Sequence, residues 1–406
     1  MTRREKRAMM FTLNRAQAGN IGRILLKIAL CSFVIFLPIS ISGAQISLGL
    51  ALLFWVVSSV LLAKPLVKAD SLNLPIITFL IALVVSVVFS TDFLSSLKNL
   101  KTFWIISVFF LTVNNLESEA ELKRLYSIFL IVMTLMAGYG IIQHFVGVDL
   151  NKLTKLGGDY SRTVGLFSLT LTYAEQITMA LCVSLGFFLY SNVKKDKILF
   201  CFASLVMFLA LIWTYSKGPL IGLLGGIVTL GVLKGKGKSI GIILLIVILF
   251  GLVLYFSKGT SRRLFDLRSD NRLNIWKTNL RMIKDRPLTG VGIGNYETYN
   301  YRKNYLGGEC HAHNNFLHIQ ATAGIFATIA FLWLWVILLK EGIIAFKQVP
   351  KDSFYLKGLA AGGVSALVGF LVSGLFEYNL GDAEVAMFMW FIAGSLIFIR
   401  KGINLK

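Results

Sequence analysis

Apolar runs of about 17–25 residues recur along this chain between short polar connections, each long enough to cross a bilayer core as a helix. About twelve such spans can be read, near 23–40, 43–63, 73–90, 101–115, 124–142, 170–191, 197–214, 218–233, 239–257, 314–340, 356–377 and 384–400. The short alternating segments of a strand-built barrel are not evident. The predicted fold class is all-α: a polytopic integral membrane protein of about twelve transmembrane helices, with one large outer loop containing short helices.

Charge orients these spans. The connections KPLVKAD, NVKKDK, KGKGK and KEGIIAFKQVPKDS are basic and, with ESEAELKR, fall on the same side as the basic N-terminal lead. Positive residues favour the cytoplasmic side, so that side is assigned as cytoplasmic. No small-residue cleavage site follows the first apolar run, so the lead is expected to be a tail, not a removed signal. The division expected is a basic cytoplasmic tail over 1–22, spans 1–9 over 23–257, a large outer loop over 258–313, spans 10–12 over 314–400, and a cytoplasmic tail over 401–406.

Composition agrees with this reading. The 406 residues are 56% hydrophobic, and 41 basic against 20 acidic residues leave a net charge of +21. In a soluble chain that charge would point to nucleic acid; here most of it is accounted for by cytoplasmic loops, and no nucleic-acid partner is expected. Cys31, Cys182, Cys201 and Cys310 form no CxxC pair, so neither a disulfide framework nor a zinc site is indicated.

Two outward segments break the charge bias. The interval from Lys258 carries Arg262, Arg263, Arg268, Arg272, Arg281 and Arg286, and the segment after His144 carries Lys152, Lys155 and Arg162. Cations on the outer side imply an anionic ligand there. Leu273, Trp276, Leu280 and Ile283 recur at helical spacing, predicting an amphipathic surface helix that Ser269 or Asp270 begins and Pro287 ends; a helix that merely holds lipid headgroups is the alternative. PLTGVGIGNY follows as a Gly-rich turn able to bring backbone N–H groups to a ligand.

Phosphate-loop motifs fail on inspection. In GVLKGKGKS, Val232 stands where the first glycine of a Walker pattern belongs, and Gly290-x-Gly292-x-Gly294 lacks the third glycine of a dinucleotide fingerprint. No cofactor is expected. His311, His313 and His318 lack a clear further ligand, with Glu309 the nearest candidate, so no metal is expected either.

A general base is the stronger reading. His313 falls at the outer mouth of the tenth span, with Leu317 and Gln320 on the same helix face, where a neutral imidazole can take a proton from an attacking hydroxyl. The topology brings Arg162, Lys217, Arg272 and His313 to one outer surface. Such cations suit a reaction in which an alcohol attacks while an anionic diphosphate departs. Glu377, Asp382 and Glu175 are competing bases; pairing of Glu175 with Arg162, and of Glu377 with a basic side chain, is the preferred role for those two.

The chain resembles the O-antigen ligase and polymerase superfamily of bacterial envelope enzymes. The resemblance runs in order through SRTVGLF with LTYAEQ, TYSKGPLIGLL, NRLNIWKTNLRMIKDRPLTGVGIGNY, HAHNNFLHIQATAGI and LFEYNLGDAEVAMFMWF, roughly residues 157–395. It implies a metal-independent glycosyltransferase of the inner membrane, working at the periplasmic face. Its donor would be a glycan linked to undecaprenyl diphosphate and its acceptor lipid A-core, with membrane lipids around it. By the matching positions, Arg162 and Arg272 would bind the diphosphate and His313 would activate the acceptor hydroxyl. Lys217 stands where the family usually has Arg, keeping the charge but not the planar fork. Asn314, His311, Arg281 and Glu377 are candidate supporting residues, with His311 an alternative to His313. An O-antigen polymerase or a protein O-oligosaccharyltransferase would use the same donor. A polysaccharide flippase is a rival of another class, disfavoured because the spans are poor in charge.

Overall fold

The computed structural model describes residues 3–68, 70–149, 154–156, 162–235, 251, 272–305 and 310–403. The architecture is helical. Helices α1 (Arg3–Phe36) and α2 (Ile41–Leu61) form an antiparallel pair. After them come α3 (Asn73–Val88), α4 (Phe93–Leu100), a 3-10 turn over Lys101–Ile106, α5 (Ser107–Asn115) and α6 (Glu119–Val146). A small hairpin pairs Val148–Asp149 with Thr154–Lys155. Then follow α7 (Thr170–Tyr190), α8 (Lys194–Ile212), α9 (Lys217–Lys234), α10 (Arg272–Asp285), α11 (Tyr296–Arg302), α12 (Asn315–Gln348), α13 (Phe354–Ser373) and α14 (Ala383–Ile403).

Eleven of the twelve expected spans coincide with helices, and the ninth, 239–257, lies outside the described residues apart from residue 251. Among the described residues, nine helical segments are long and apolar enough to cross a membrane, fewer than twelve. Two apolar helices fall short of that standard. α3 has only 16 residues, and α8 spends its first turn on Lys194, Lys195, Asp196 and Lys197. The set is that of a multi-pass membrane protein.

Polar caps set the starts of α2, α6 and α12. Ser118 accepts from the Glu121 N–H to begin α6, which stops where Gly147 turns left-handed at φ +72°. At the centre, 83% of the apolar window of α7, 72% of that of α13 and 78% of that of α14 are buried, whereas α1 and α2 turn apolar faces outward. Small residues allow the central backbones to approach. A Cβ on Gly222 of α9 would lie 2.6 Å from the Gly369 carbonyl oxygen of α13, so no larger residue fits there.

α12 is not continuous. Gly324 adopts φ 77°, ψ −175°, a conformation open essentially to glycine alone. The break exposes carbonyls, and the Gly-rich turn before α11 takes them up. Val291 N–H donates to Ala321 O (2.9 Å), Gly292 N–H to Thr322 O (2.9 Å), and Ile325 N–H to Pro287 O (3.0 Å). Ser86 Oγ of α3 adds a bond to Thr322 O at 2.9 Å. Of the backbone donors that the PLTGVGIGNY turn can bring to a ligand, those of Val291 and Gly292 repair a broken helix, because buried carbonyls must be paired.

α10 forms over the stretch predicted to be an amphipathic helix and stops before Pro287. Its buried residues are Ile275, Thr278, Asn279 and Met282, packed toward α12, while Leu273 and Leu280 of the expected apolar stripe are exposed. The expected caps, Ser269 and Asp270, lie outside the described residues, as do Arg262, Arg263, Arg268, Lys152 and Glu309.

Candidate active site

The ends of α6, α8 and α13 and the starts of α7, α9, α12 and α14 share one face with the turn that repairs α12. Arg162, Lys217 and Arg272 each arrive there by a separate device. Gln143, buried near the end of α6, donates to Gly165 O (2.8 Å) and accepts from the N–H groups of Gly165 (2.9 Å) and Val164 (3.3 Å). Thr163 N–H meets Trp213 O at 3.2 Å. The loop so held aims Arg162 at the α8–α9 junction, where its Nε donates to Thr214 O (2.9 Å) and its Nη2 to Ser216 Oγ (3.1 Å). Lys217 is the next residue and the first of α9. Beyond it, Gly218 abuts Glu377; a Cβ there would lie 3.0 Å from the glutamate Cγ.

Glu377 joins the two halves of the site. Its Oε1 accepts from Arg272 Nη2 at the start of α10, and its Oε2 lies 2.9 Å from His313 Nδ1. The Glu377 side chain is only 4% exposed, so its charge meets little water and its two partners matter correspondingly. A carboxylate can only accept, which puts the imidazole proton on Nδ1 and leaves Nε2 as the ring acceptor.

His313 lies outside the helix, not on its face as expected. It precedes the cap and sits in a left-handed turn at φ +46°, a conformation of modest cost that histidine tolerates better than bulky residues. Asn314 caps α12 by accepting from Leu317 N–H (3.0 Å), and its amide donates to Leu375 O (2.9 Å). Asn315 adds three bonds to the same turn. Its N–H meets Gly374 O (2.7 Å), its amide meets Asn379 Oδ1 (2.6 Å), and its Oδ1 accepts from Leu380 N–H (3.2 Å). These bonds lock the α13–α14 turn, and with it Glu377, against the start of α12.

The other candidates sort differently. The His311 and His313 rings lie 4.2 Å apart between centroids, and His313 N–H donates to His311 Nδ1 at 3.4 Å. Burial, helped by the neighbouring His313, pushes His311 down to about 4, so it is neutral near neutral pH. Asp382 is pushed up to about 6 by burial, although Thr172 Oγ1 donates to it at 2.9 Å. Glu175 takes its hydrogen bond from Ser373, not the expected pairing with Arg162. Arg281 stays apart, its guanidinium 5.9 Å from the Tyr305 ring centroid. Nine residues along α10 from Arg272 is about 2.5 turns, which turns the side chain to the opposite side. Among the described residues, no group of three or more His, Cys, Asp or Glu side chains gathers around a point fit for an ion.

On the far side of His311 lies a cavity of about 440 Å³. His311, Tyr378 and Asp382 line its polar end, and Phe79, Phe331 and Trp335 line its apolar depth between α3 and α12. Its α12 lining runs from His318 to Leu338, about 30 Å at about 1.5 Å per residue. The arrangement joins cations, an oriented imidazole and a long apolar cleft.

Residues 202–332 match the family model described as O-antigen ligase. The match supports the O-antigen ligase and polymerase superfamily. No curated protein matches the chain. The matched segment holds Lys217, Arg272, His311, His313 and Asn314, while Arg162 and Glu377 lie outside it and reach the same cluster through the fold. Gln143 and Ser216, which hold Arg162, were missed in the sequence. A polar glutamine near the end of an apolar run was the one available signal for Gln143.

Proposed function

We propose that this protein is an O-antigen ligase. It transfers a polysaccharide from undecaprenyl diphosphate to the lipid A-core acceptor at the periplasmic face of the inner membrane, without a metal. The observation that carries the reading is Glu377 bridging Arg272 and His313, with Arg162 and Lys217 at the adjoining helix junction.

In this mechanism Arg162, Lys217 and Arg272 hold the donor diphosphate, the two arginines offering planar forks to phosphate oxygens and Lys217 a point charge. The acceptor hydroxyl approaches His313 Nε2. As its oxygen attacks the anomeric carbon, the proton passes to Nε2 and the bond from that carbon to the diphosphate oxygen breaks. The electron pair leaves with the diphosphate, and the cations stabilise the growing charge. Glu377 acts as a positioning residue that fixes the imidazole tautomer and stabilises the imidazolium formed. The apolar cleft beside His311 suits a stretch of isoprenoid chain.

The test is reconstitution with a lipid-diphosphate glycan and two acceptors, lipid A-core and a second donor lipid. Extension of lipid A-core is expected. Extension of the donor lipid alone would make the protein a polymerase, and vesicle flipping without transfer would make it a transporter.

A further inference from the structure

The face opposite the candidate site carries a second charged pocket. α3 runs between the two faces: it ends beside the turn that repairs α12, where Thr91 N–H meets Val291 O at 3.0 Å, and it begins just after the loop that follows α2. That loop, the stretch of α1 from Arg23 to Lys27 and the end of α5 enclose a cavity of about 290 Å³, floored by Trp55, Ser58 and Ser59.

Four cations line this cavity, Arg23, Lys27, Lys64 and Lys68, against the single carboxylate of Glu117. Arg23 and Lys27 share that carboxylate, Lys27 at 2.8 Å, and Lys27 also reaches Glu121 at 3.5 Å. These side chains are a third to nearly half exposed except Glu121, so such pairs hold weakly. Lys64 and Lys68 have no carboxylate partner among the described residues. Their backbones are nonetheless fixed: Lys64 N–H donates to Ser59 O (2.9 Å) and Lys68 N–H to Asn114 Oδ1 (2.9 Å). Two exposed lysines on a fixed backbone thus flank a polar cavity at the end of spanning helices. Beside it, Ile24 and Ile28 of α1 and Val57 and Val60 of α2 turn outward.

We infer that this pocket binds the phosphate headgroup of an anionic phospholipid, with Lys64 and Lys68 as its principal contacts and the acyl chains lying along α1 and α2. Uncompensated charge selects an anion, and continuity with the outward apolar faces selects a membrane lipid over a soluble one. The site is separate from the chemistry at the other face and stands whether or not that reading holds.

The full chain, purified in neutral detergent, is titrated with phosphatidylglycerol, phosphatidylcholine and inorganic phosphate. Native mass spectrometry counts bound lipid while Tm is followed in parallel. Phosphatidylglycerol should bind saturably and raise Tm, and the other two should do neither. The Lys64→Ala/Lys68→Ala pair should weaken that binding about thirtyfold, from about 1 kcal/mol for each lysine near an anionic headgroup. Lys64→Arg/Lys68→Arg should retain it, and Lys194→Ala/Lys195→Ala, removing another basic pair, should leave it unchanged. Undiminished binding by the first alanine pair overturns the site. An equal loss in the second alanine pair would mean diffuse attraction, and an equal response to inorganic phosphate a free-phosphate site; either also overturns it.

Discussion

His313 Nδ1 and Glu377 Oε2 lie 2.9 Å apart across 64 residues of sequence, and the same glutamate accepts from Arg272 through its other oxygen. One buried carboxylate therefore ties the imidazole to a cation from the far end of the outer interval. Glu377→Gln keeps the shape but removes the charge. Its amide can donate to His313 and so invert the tautomer, leaving Nε2 protonated. Glycan transfer should fall about 10²-fold or more, with the loss in kcat larger than in KM. Transfer kinetics across pH 6–9 separate this from misfolding, because a merely structural role would leave the shape of the profile unchanged.

His313 itself needs a replacement that tolerates its backbone. Asparagine is among the residues most at ease at positive φ, so His313→Asn removes the base with little added strain. Transfer should drop about 10²–10⁴-fold while circular dichroism and Tm stay near those of the parent. Near-normal transfer would remove His313 from the chemistry.

Arg272→Ala should weaken use of the lipid-diphosphate donor more than use of the acceptor, read as separate KM values. Arg162→Lys should do the same to a lesser degree, since lysine cannot reproduce the paired bonds to Thr214 O and Ser216 Oγ. Equal effects on donor and acceptor would assign both arginines a structural role.

Acid should loosen this face, and His311 supplies part of the reason. Burial holds it down to about 4, below the usual value near 6.5 that it regains on unfolding. The unfolded chain then binds more protons between those values. The stabilising contribution is complete above about pH 6.5 and is lost as pH falls toward about 4. Melting curves at pH 7.5 and 4.5 should show a smaller acid-induced drop in Tm for His311→Gln than for the parent.

The break in α12 makes a prediction about stability alone. Gly324→Ala must hold an L residue at φ 77°, ψ −175° and place a Cβ 2.1 Å from the Leu288 carbonyl oxygen. The backbone term alone costs about 1–3 kcal/mol. A clear fall in Tm is expected, and an unchanged Tm would mean the turn over 287–292 can shift without penalty.

Apolar run length and basic loop asymmetry were enough to determine a helical membrane protein and to put Arg162, Lys217, Arg272 and His313 on one outer surface, and the family resemblance singled them out there. These are one-dimensional signals: a span must be apolar for a minimum length, and a cation against the bias stands out. Tertiary structure decided the rest. Whether Leu273 or Ile275 of α10 turns toward the protein depends on what packs against the helix, and periodicity alone does not say which face meets α12. The Gly-rich turn looked like a ligand loop because glycine permits close approach to anything; only the broken α12 beside it reveals which carbonyls its donors meet. Glu377 could be named as a holder of some basic group, but not of both Arg272 and His313. That depends on Asn315 locking two turns together, a contact between distant segments that no local pattern encodes.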